Sequence, residues 1–474
     1  MPRPTTAWLR IVVVLALFLS AVLGASPAFS AGRPAAAHAP SGRDHHRDLR
    51  HHRRRHHAHH RHHRHHRHHH SAASSSSSSA AAHAGADQGG AVRPDSTATV
   101  FTPGLTQTQD SADPWRDSTA ISSARQILAN GPYFQDQAIM GWGVGNPEPS
   151  PGVYDWSGLD ERVSLIEDTG GTPVLTLCGA PDWMKGGTAG TTDWSNLNVA
   201  PLPAYYEDFA DLAVAVAKHF PQVHYFLVWN ELKGFWDSST NNWDIADYTT
   251  LYNDVYAALK AYNPALQVGG PYLVLQSWAN SSDMSNGSDV SGAWGWLDGR
   301  DVSAMEYWHA HALGADFVAV DAGTDTIDAG TPTLDQDFVD TQKFADLTTW
   351  VHQLTGLPVW WAEYYPNSPS SDPERQAALD AAALAEMASA GASHGFLWGP
   401  ECDPSWTTTP CLWTPTDSDS GGQPTPTATV EQWFADDYDG GTVTWSGSTI
   451  TVAGSGSDLV IDTTAGTFSV VADS

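Results

Sequence analysis

The sequence predicts an α/β protein built as a (β/α)8 barrel with a small C-terminal β-rich tail, and three observations predict it. Short, near-continuous apolar runs begin at about Thr97, amphipathic helical stretches separate them, and eight such units fit in one span of chain. Strands read as continuous apolar runs when both faces are buried, as in a parallel sheet covered by helices. An open doubly wound sheet is the runner-up, but no G-x-G-x-x-G follows the first strand, so closure is the better reading.

The candidate strands are residues 97–101, 137–142, 173–178, 225–229, 267–270, 316–321, 358–362 and 395–398. Seven helical stretches lie between them. The clearest is 205–219, with Phe209, Leu212, Ala213 and Val216 on one face and Pro221 beyond its end. Another is 248–261, where Leu251, Val255 and Leu259 share a face and Asn263-Pro264 stops the helix. After Trp398 the chain turns Gly- and Ser-rich, and the runs 442–445, 449–452, 458–462 and 467–471 read as short hairpins. So short a tail buries little alone, and packing against the barrel is its expected role.

Four segments follow. Residues 1–30 read as a secretory signal peptide: Arg3 and Arg10 precede the apolar run 11–24, and small residues allow cleavage near Ser30. A retained membrane anchor is the minority reading, because no charge intervenes between Arg10 and Arg33. Residues 31–93 are a His/Arg- and Ser/Ala-rich linker holding 17 of the 23 histidines, with no apolar period to fold around, and disorder is expected. Such a tract either binds divalent metal or an anionic wall through its imidazoles, or is a solvated spacer. Residues 94–425 form the barrel and 426–474 the tail.

Charge narrows the function. The chain carries 53 acidic against 23 basic residues, and 13 of the basic ones, all Arg, fall in residues 1–93. The barrel is therefore strongly acidic, which excludes nucleic acid as its partner. Three cysteines make no disulfide scaffold and no C-x-x-C pair exists to hold a metal. Cys402 and Cys411 bracket a ten-residue loop after the eighth strand and, in an exported protein, are expected to be bridged. Cys178 is left as a strand thiol with no local support for a nucleophilic role. Twenty-one Trp exceed the needs of packing. Flat aromatic faces in a cleft hold sugar rings, so an oligosaccharide or polysaccharide is the expected substrate, with no cofactor and no catalytic metal.

In a (β/α)8 barrel, reacting groups sit where strands end. Phe226-Leu227-Val228-Trp229-Asn230-Glu231 delivers Glu231 after strand four, and Val359-Trp360-Trp361-Ala362-Glu363 delivers Glu363 after strand seven. Two carboxyls flanking one bond are the minimum apparatus for cleaving a glycoside: one protonates the leaving oxygen and the other meets the oxocarbenium charge. Asn230 is placed to hydrogen-bond the sugar 2-hydroxyl. Trp183, Trp236 and Trp398 are the expected sugar platforms, chosen over Trp142 and Trp308, for which core packing is the alternative. The long Ser/Asn/Gly/Trp-rich loop 276–300 is expected to wall the cleft.

These residues resemble the retaining glycoside hydrolases of clan A. The resemblance is carried by Trp229-Asn230-Glu231, Glu363, Trp398 and Pro151-Gly152-Val153-Tyr154-Asp155-Trp156 followed by Leu159-Asp160. Ala180-Pro181-Asp182-Trp183-Met184 and Val268-Gly269-Gly270-Pro271 look most like family 39, the family of β-xylosidases and related exo-acting enzymes. The resemblance spans about residues 97–425 and implies Glu231 as acid/base, Glu363 as nucleophile and Asn230 as the 2-hydroxyl partner. Two departures stand out. Leu232-Lys233-Gly234-Phe235-Trp236 replaces the Pro that often follows the Asn-Glu pair. Val320-Asp321-Ala322-Gly323 stands where many members carry a His and a Tyr. Without that Tyr, Tyr364 or Tyr365 must orient Glu363, while Asp321 and Lys233 either bind a polar or charged group of the substrate or form an ordinary loop salt bridge.

The competing function is a catalytically silent carbohydrate-binding or surface protein that uses the His-rich segment to hold metal. Only the enzyme needs both glutamates. A retaining pair should stand about 5 to 5.5 Å apart. The ionised Glu363 should raise the pKa of Glu231, giving an activity optimum on the acidic side of neutrality.

Overall fold

The computed structural model describes residues 100–473, apart from Asp110, Pro132 and Ser285. The signal peptide or anchor at 1–30 and the His-rich segment at 31–93 lie outside the described residues. Among the described residues, no helix is long and apolar enough to cross a membrane.

Eight parallel strands close into a barrel, each followed by a helix. The strands are β1 (Thr102–Thr106), β2 (Phe134–Ala138), β3 (Thr172–Leu177), β4 (Tyr225–Val228), β5 (Gln267–Val274), β6 (Phe317–Gly323), β7 (Val359–Tyr365) and β8 (His394–Trp398). The helices are α1 (Ser118–Leu128), α2 (Ser157–Asp168), α3 (Tyr206–His219), α4 (Ile245–Tyr262), α5 (Gly299–His311), α6 (Gln342–Thr355), α7 (Pro373–Ser389) and α8 (Pro426–Asp436). Sequence order is barrel order, with β1 closing on β8. Six strands lie where the apolar runs put them. The first is Thr102–Thr106, just beyond the expected 97–101, and the second begins at Phe134 instead of Gln137, because the polar Gln135-Asp136-Gln137 within it breaks the apolar signature.

Two cores result. Inside the barrel, Val174, Leu227, Phe317, Ala319, Trp360, Ala362 and Phe396 fill the lower layers, with Trp360 stacked on Phe317 at 3.9 Å between ring centroids. Outside it, the helices bury their apolar stripes against the strands: on α3 these are Phe209, Leu212, Ala213 and Val216, as the helical period predicted. Helix α7 starts cleanly, with Asp372 accepting from Glu374 N and Pro373 in the first turn. It then buries Ala377, Ala378, Ala381, Ala382, Ala383 and Ala385 completely. The small side chains follow from its position between the barrel wall and the tail.

The tail is an antiparallel meander of β9 (Val443–Ser446), β10 (Thr449–Val452), β11 (Ser457–Asp462) and β12 (Thr467–Ala472). Its inner face, Ile450, Val452, Leu459 and Ile461, joins the outer core of the barrel. The loop 276–300 is not structureless: Ser277–Trp278, Ser291–Gly292 and Gly295–Leu297 form a small antiparallel sheet, pinned where Trp278 Nε1 donates to Asp298 Oδ2 at 2.8 Å.

Two irregularities position the site. Side chains alternate along a strand, so Trp360 and Ala362 point into the barrel while Trp361 packs outside. Strict alternation would send Glu363 outward as well. Between β6 and β7, however, Val320 pairs with Trp361 and Asp321 with Glu363, which leaves Ala362 as an extra residue. This bulge turns Glu363 into the mouth. Strand β5 does the same: Ala319 pairs with Pro271 and Val320 with Leu273, so Tyr272 is the extra residue and its ring enters the barrel.

Candidate active site

The β4–α4 loop sets the first half of the site. Trp229, Glu231 and Leu232 all adopt left-handed backbone, at φ of 69°, 50° and 51°. Such conformations are uncommon without glycine and persist only where surrounding structure over-determines them. Here Trp229 and Leu232 are fully buried anchors, and Trp229 Nε1 donates to Lys233 O at 2.7 Å. Tyr248 of α4 donates to Val228 O at 2.8 Å. Gly234 completes the turn at φ 84°, where a Cβ would stand 2.3 Å from Ala200 N.

The loop aims Asn230, Glu231 and Lys233 at the barrel axis, where they meet Glu363 and Asp321. One carboxylate oxygen each from Glu231, Asp321 and Glu363 lies within 4.8 Å of the others. Asn230 Nδ2 donates to Glu363 Oε1 at 3.4 Å. Tyr272 donates to the same oxygen at 2.6 Å, and Tyr365 donates to Glu363 Oε2. Lys233 Nζ is paired with Glu231 Oε2 and also donates to Asn230 Oδ1. Its ammonium lies 5.3 Å from the centre of the Trp142 ring. Below them, Thr176 Oγ1 donates to both oxygens of Asp136, at 2.9 and 2.8 Å. Thr106, Gln107, Asp136, Ala138, Trp142, Thr176, Asn230, Tyr272, Glu363 and Trp398 line one cavity.

Four carboxyls and one lysine thus share a small buried volume, and their protonation follows. Glu363 is pushed up to about 7, by burial first and then by the charge of Glu231, against the pull of Lys233, Tyr272 and Tyr365. Asp321 is pushed well above the carboxylate range by burial and by the charges of Glu231 and Glu363. Asp136 is raised to about 8, mainly by burial. Glu231 goes the other way. Burial raises it, but the Lys233 charge and hydrogen bonds from Asp321 and Lys233 outweigh burial and hold it below its ordinary value. The expected elevation of Glu231 is therefore overturned, because the Lys233 ammonium lies against its carboxylate.

Lys233 and Asp321 do more than form a loop salt bridge. Both touch Glu231 itself. The three carboxyls are the one group among the described residues spaced to hold a cation, and the Lys233 ammonium already supplies positive charge there.

Of the expected platforms, Trp398 lines the cavity, backed by Trp406 at 4.5 Å and Tyr365 at 5.8 Å. Trp183 is instead a core side chain, buried with Nε1 donating to Glu148 O at 2.9 Å. Trp236 packs edge-on to Trp243 and under the Arg300 guanidinium, and is not among the cavity-lining residues. Trp142, set aside from sequence, lines the cavity; Trp308 is buried core. Tyr365, not Tyr364, touches Glu363; Tyr364 points outward to donate to Asp380 and Glu431. Asp136 and Tyr272 were missed. Tyr272 lay beyond the expected strand 267–270, whereas the strand runs on to Val274 and carries it into the barrel. Cys402 and Cys411 are bonded, with S–S of 2.02 Å, and their loop carries Trp406. Cys178 is buried, its thiol pushed up to about 12 by burial.

A closed barrel with two glutamates meeting at its mouth defines the glycoside-hydrolase class of (β/α)8 proteins. The model of glycosyl hydrolases family 39 matches residues 146–416, more than half of the chain, and the chain belongs to that family. It is 26% identical over 135 residues to a beta-xylosidase of Caldicellulosiruptor saccharolyticus, covering 26% of this chain and 26% of that protein. It is 30% identical over 128 residues to a beta-xylosidase of Geobacillus stearothermophilus, covering 25% of this chain and 24% of that one. The chain thus spans about a quarter of the length of the curated relatives it matches. Among solved structures, a monomeric beta-xylosidase from Caulobacter crescentus CB15 shares the fold at a TM-score of 0.51 and 16% identity, over 76% of this chain and 73% of that one.

Proposed function

We propose that this chain is an exported retaining glycosidase that hydrolyses O-glycosidic bonds of plant or microbial wall glycans, with β-xylosides the first class to test. The observation that carries this reading is the separation of Glu231 and Glu363. An oxygen of each lies within 4.8 Å of the other, an approach that favours a retaining pair over the 6.5–9.5 Å or so between the carboxyls of an inverting one. Glu363 attacks the anomeric carbon as a carboxylate while Glu231 delivers a proton to the leaving oxygen. In the second half, Glu231 takes a proton from the water that releases the sugar. Asn230 holds the 2-hydroxyl, and Trp398 and Trp142 offer faces to the ring. The named relatives, both beta-xylosidases, support the choice of xylosides.

The test is a panel of aryl α- and β-pentosides and hexosides, with the configuration of the first-formed sugar followed by proton NMR. The expected result is turnover of at least one glycoside with the starting anomer retained. No turnover on any glycoside or natural glycan favours the silent carbohydrate-binding reading, and an inverted product removes the nucleophile role of Glu363.

Tyr272→Phe isolates one contact. It deletes a short hydrogen bond to an ionised carboxylate, worth about 1.5–3 kcal/mol, so kcat/KM should fall roughly ten- to a hundredfold. Because that bond favours ionised Glu363, the acid limb of the rate profile should also move to higher pH. A fall in rate with an unmoved limb would assign Tyr272 to packing alone.

A further inference from the structure

We propose that Asp321 is the proton reservoir of the site: it stores on its own carboxyl the proton that Glu231 delivers to the leaving oxygen, while Lys233 occupies Glu231 in the resting protein. The proposal rests on the retaining reading above and assigns a positioning residue to it.

Donor geometry carries the inference. Glu363 accepts from Tyr272, Tyr365 and Asn230, and Glu231 is paired with Lys233. Both are thereby solvated as anions. Asp321 differs: it is 1% exposed, and its Oδ2 is buried with no donor among the described residues. Yet its carboxylate approaches those of Glu231 and Glu363 to within 4.8 Å, in reach of a hydrogen bond shared with Glu231. Two carboxyls hydrogen-bond each other only when one of them carries a proton. With an ammonium on Glu231 and no donor at Asp321 Oδ2, the proton belongs on Asp321.

The groups facing Asp321 agree. Glu231 and Lys233 come from the β4–α4 loop, Glu363 and Tyr365 from β7, Tyr272 from β5 and Lys343 from α6. The two ionised glutamates both oppose a third negative charge, and only Lys233 and Lys343 favour one.

The proton balance is simple. Asp321 passes its proton to Glu231, and Glu231 passes it to the glycosidic oxygen as the C1–O bond breaks and the Glu363–C1 bond forms. In the second half, water adds at C1, the ester bond to Glu363 breaks, and the water's proton returns through Glu231 to Asp321. A sugar oxygen entering between Lys233 and Glu231 triggers the first transfer by drawing the ammonium away.

The experiment compares full-length wild type, Asp321→Asn, Asp321→Glu and Glu231→Gln on two glycosides of the sugar that the aryl panel selects. The 2,4-dinitrophenyl glycoside has a leaving group that departs without protonation, whereas the methyl glycoside needs an acid. Asp321→Asn should lose about a hundredfold on the methyl glycoside, with a loss at least tenfold smaller on the dinitrophenyl one. Asp321→Glu, which retains a carboxyl, should recover part of the difference. Equal losses on both glycosides, or recovery absent in a folded Asp321→Glu, would show Asp321 to be structural and overturn the proposal. The Glu231→Gln control separates the two readings: if it shows no leaving-group selectivity, the acid role of Glu231 fails and the reservoir with it. A selective Glu231→Gln beside an unselective Asp321→Asn overturns the reservoir alone.

Discussion

Glu363→Ala should abolish turnover, with kcat falling on the order of 10⁶-fold, the size of loss that follows removal of a nucleophile acting as one unit with its acid/base partner. The reason lies in the number of groups committed to that one carboxylate. Tyr272, Tyr365 and Asn230 all donate to it, and the Ala362 bulge exists to face it inward. Azide placed in the vacated space should restore part of the rate on an activated aryl glycoside and give a glycosyl azide of inverted configuration, because the small anion attacks where the carboxylate stood. Retention of more than a tenth of wild-type activity would remove Glu363 from the chemistry. Rescue with a retained azide product would do the same, since attack would then come from the opposite face.

How far the sequence foretold this site depends on which structural rule was in play. Glu231 and Glu363 were legible because the strand-end rule for barrels needs only a strand count, and the alternation of apolar runs with helices supplies that count. The disulfide was legible from two cysteines in one loop. The orientation of Glu363 was not. Alternation along Trp360-Trp361-Ala362-Glu363 puts Glu363 on the wrong face, and a bulge depends on pairing with the neighbouring strand, which a single strand's pattern does not encode. The same holds for Tyr272. Lys233 was visible as a charge near the acid, but its approach to Glu231 follows from left-handed backbone at Trp229, Glu231 and Leu232, residue types that announce no such conformation. Trp183 illustrates the opposite error: a tryptophan beside a strand end reads as a platform, yet its indole nitrogen is spent on Glu148 O and its ring on the core.

The same lysine should shape the pH dependence of the proposed reaction. The proposed double displacement requires ionised Glu363, whose carboxyl is pushed up to about 7, so kcat/KM should rise with pH through about 7 instead of peaking in acid. The descending limb belongs to the proton shared by Asp321 and Glu231 and lies higher, because Asp321 is held well above the carboxylate range. Lys233→Met should move the ascending limb further up. Lys233 lowers Glu363 by direct attraction, and its removal leaves Glu363 beside the negative charge that Glu231 and Asp321 share, with no cation to offset it. The sign is fixed: losing a neighbouring positive charge favours the protonated acid, so a higher pH is needed to ionise the nucleophile. Each unit of upward movement costs about tenfold in rate on the acidic side of the limb, and the loss at pH 6 should therefore exceed the loss at pH 8. Initial rates across pH 4–10 on an activated aryl glycoside measure both limbs. A wild-type limb below pH 5 would mean that burial and Glu231 do not raise Glu363, and a Lys233→Met limb that stays in place or moves down would mean that Lys233 does not set the charge of the pair.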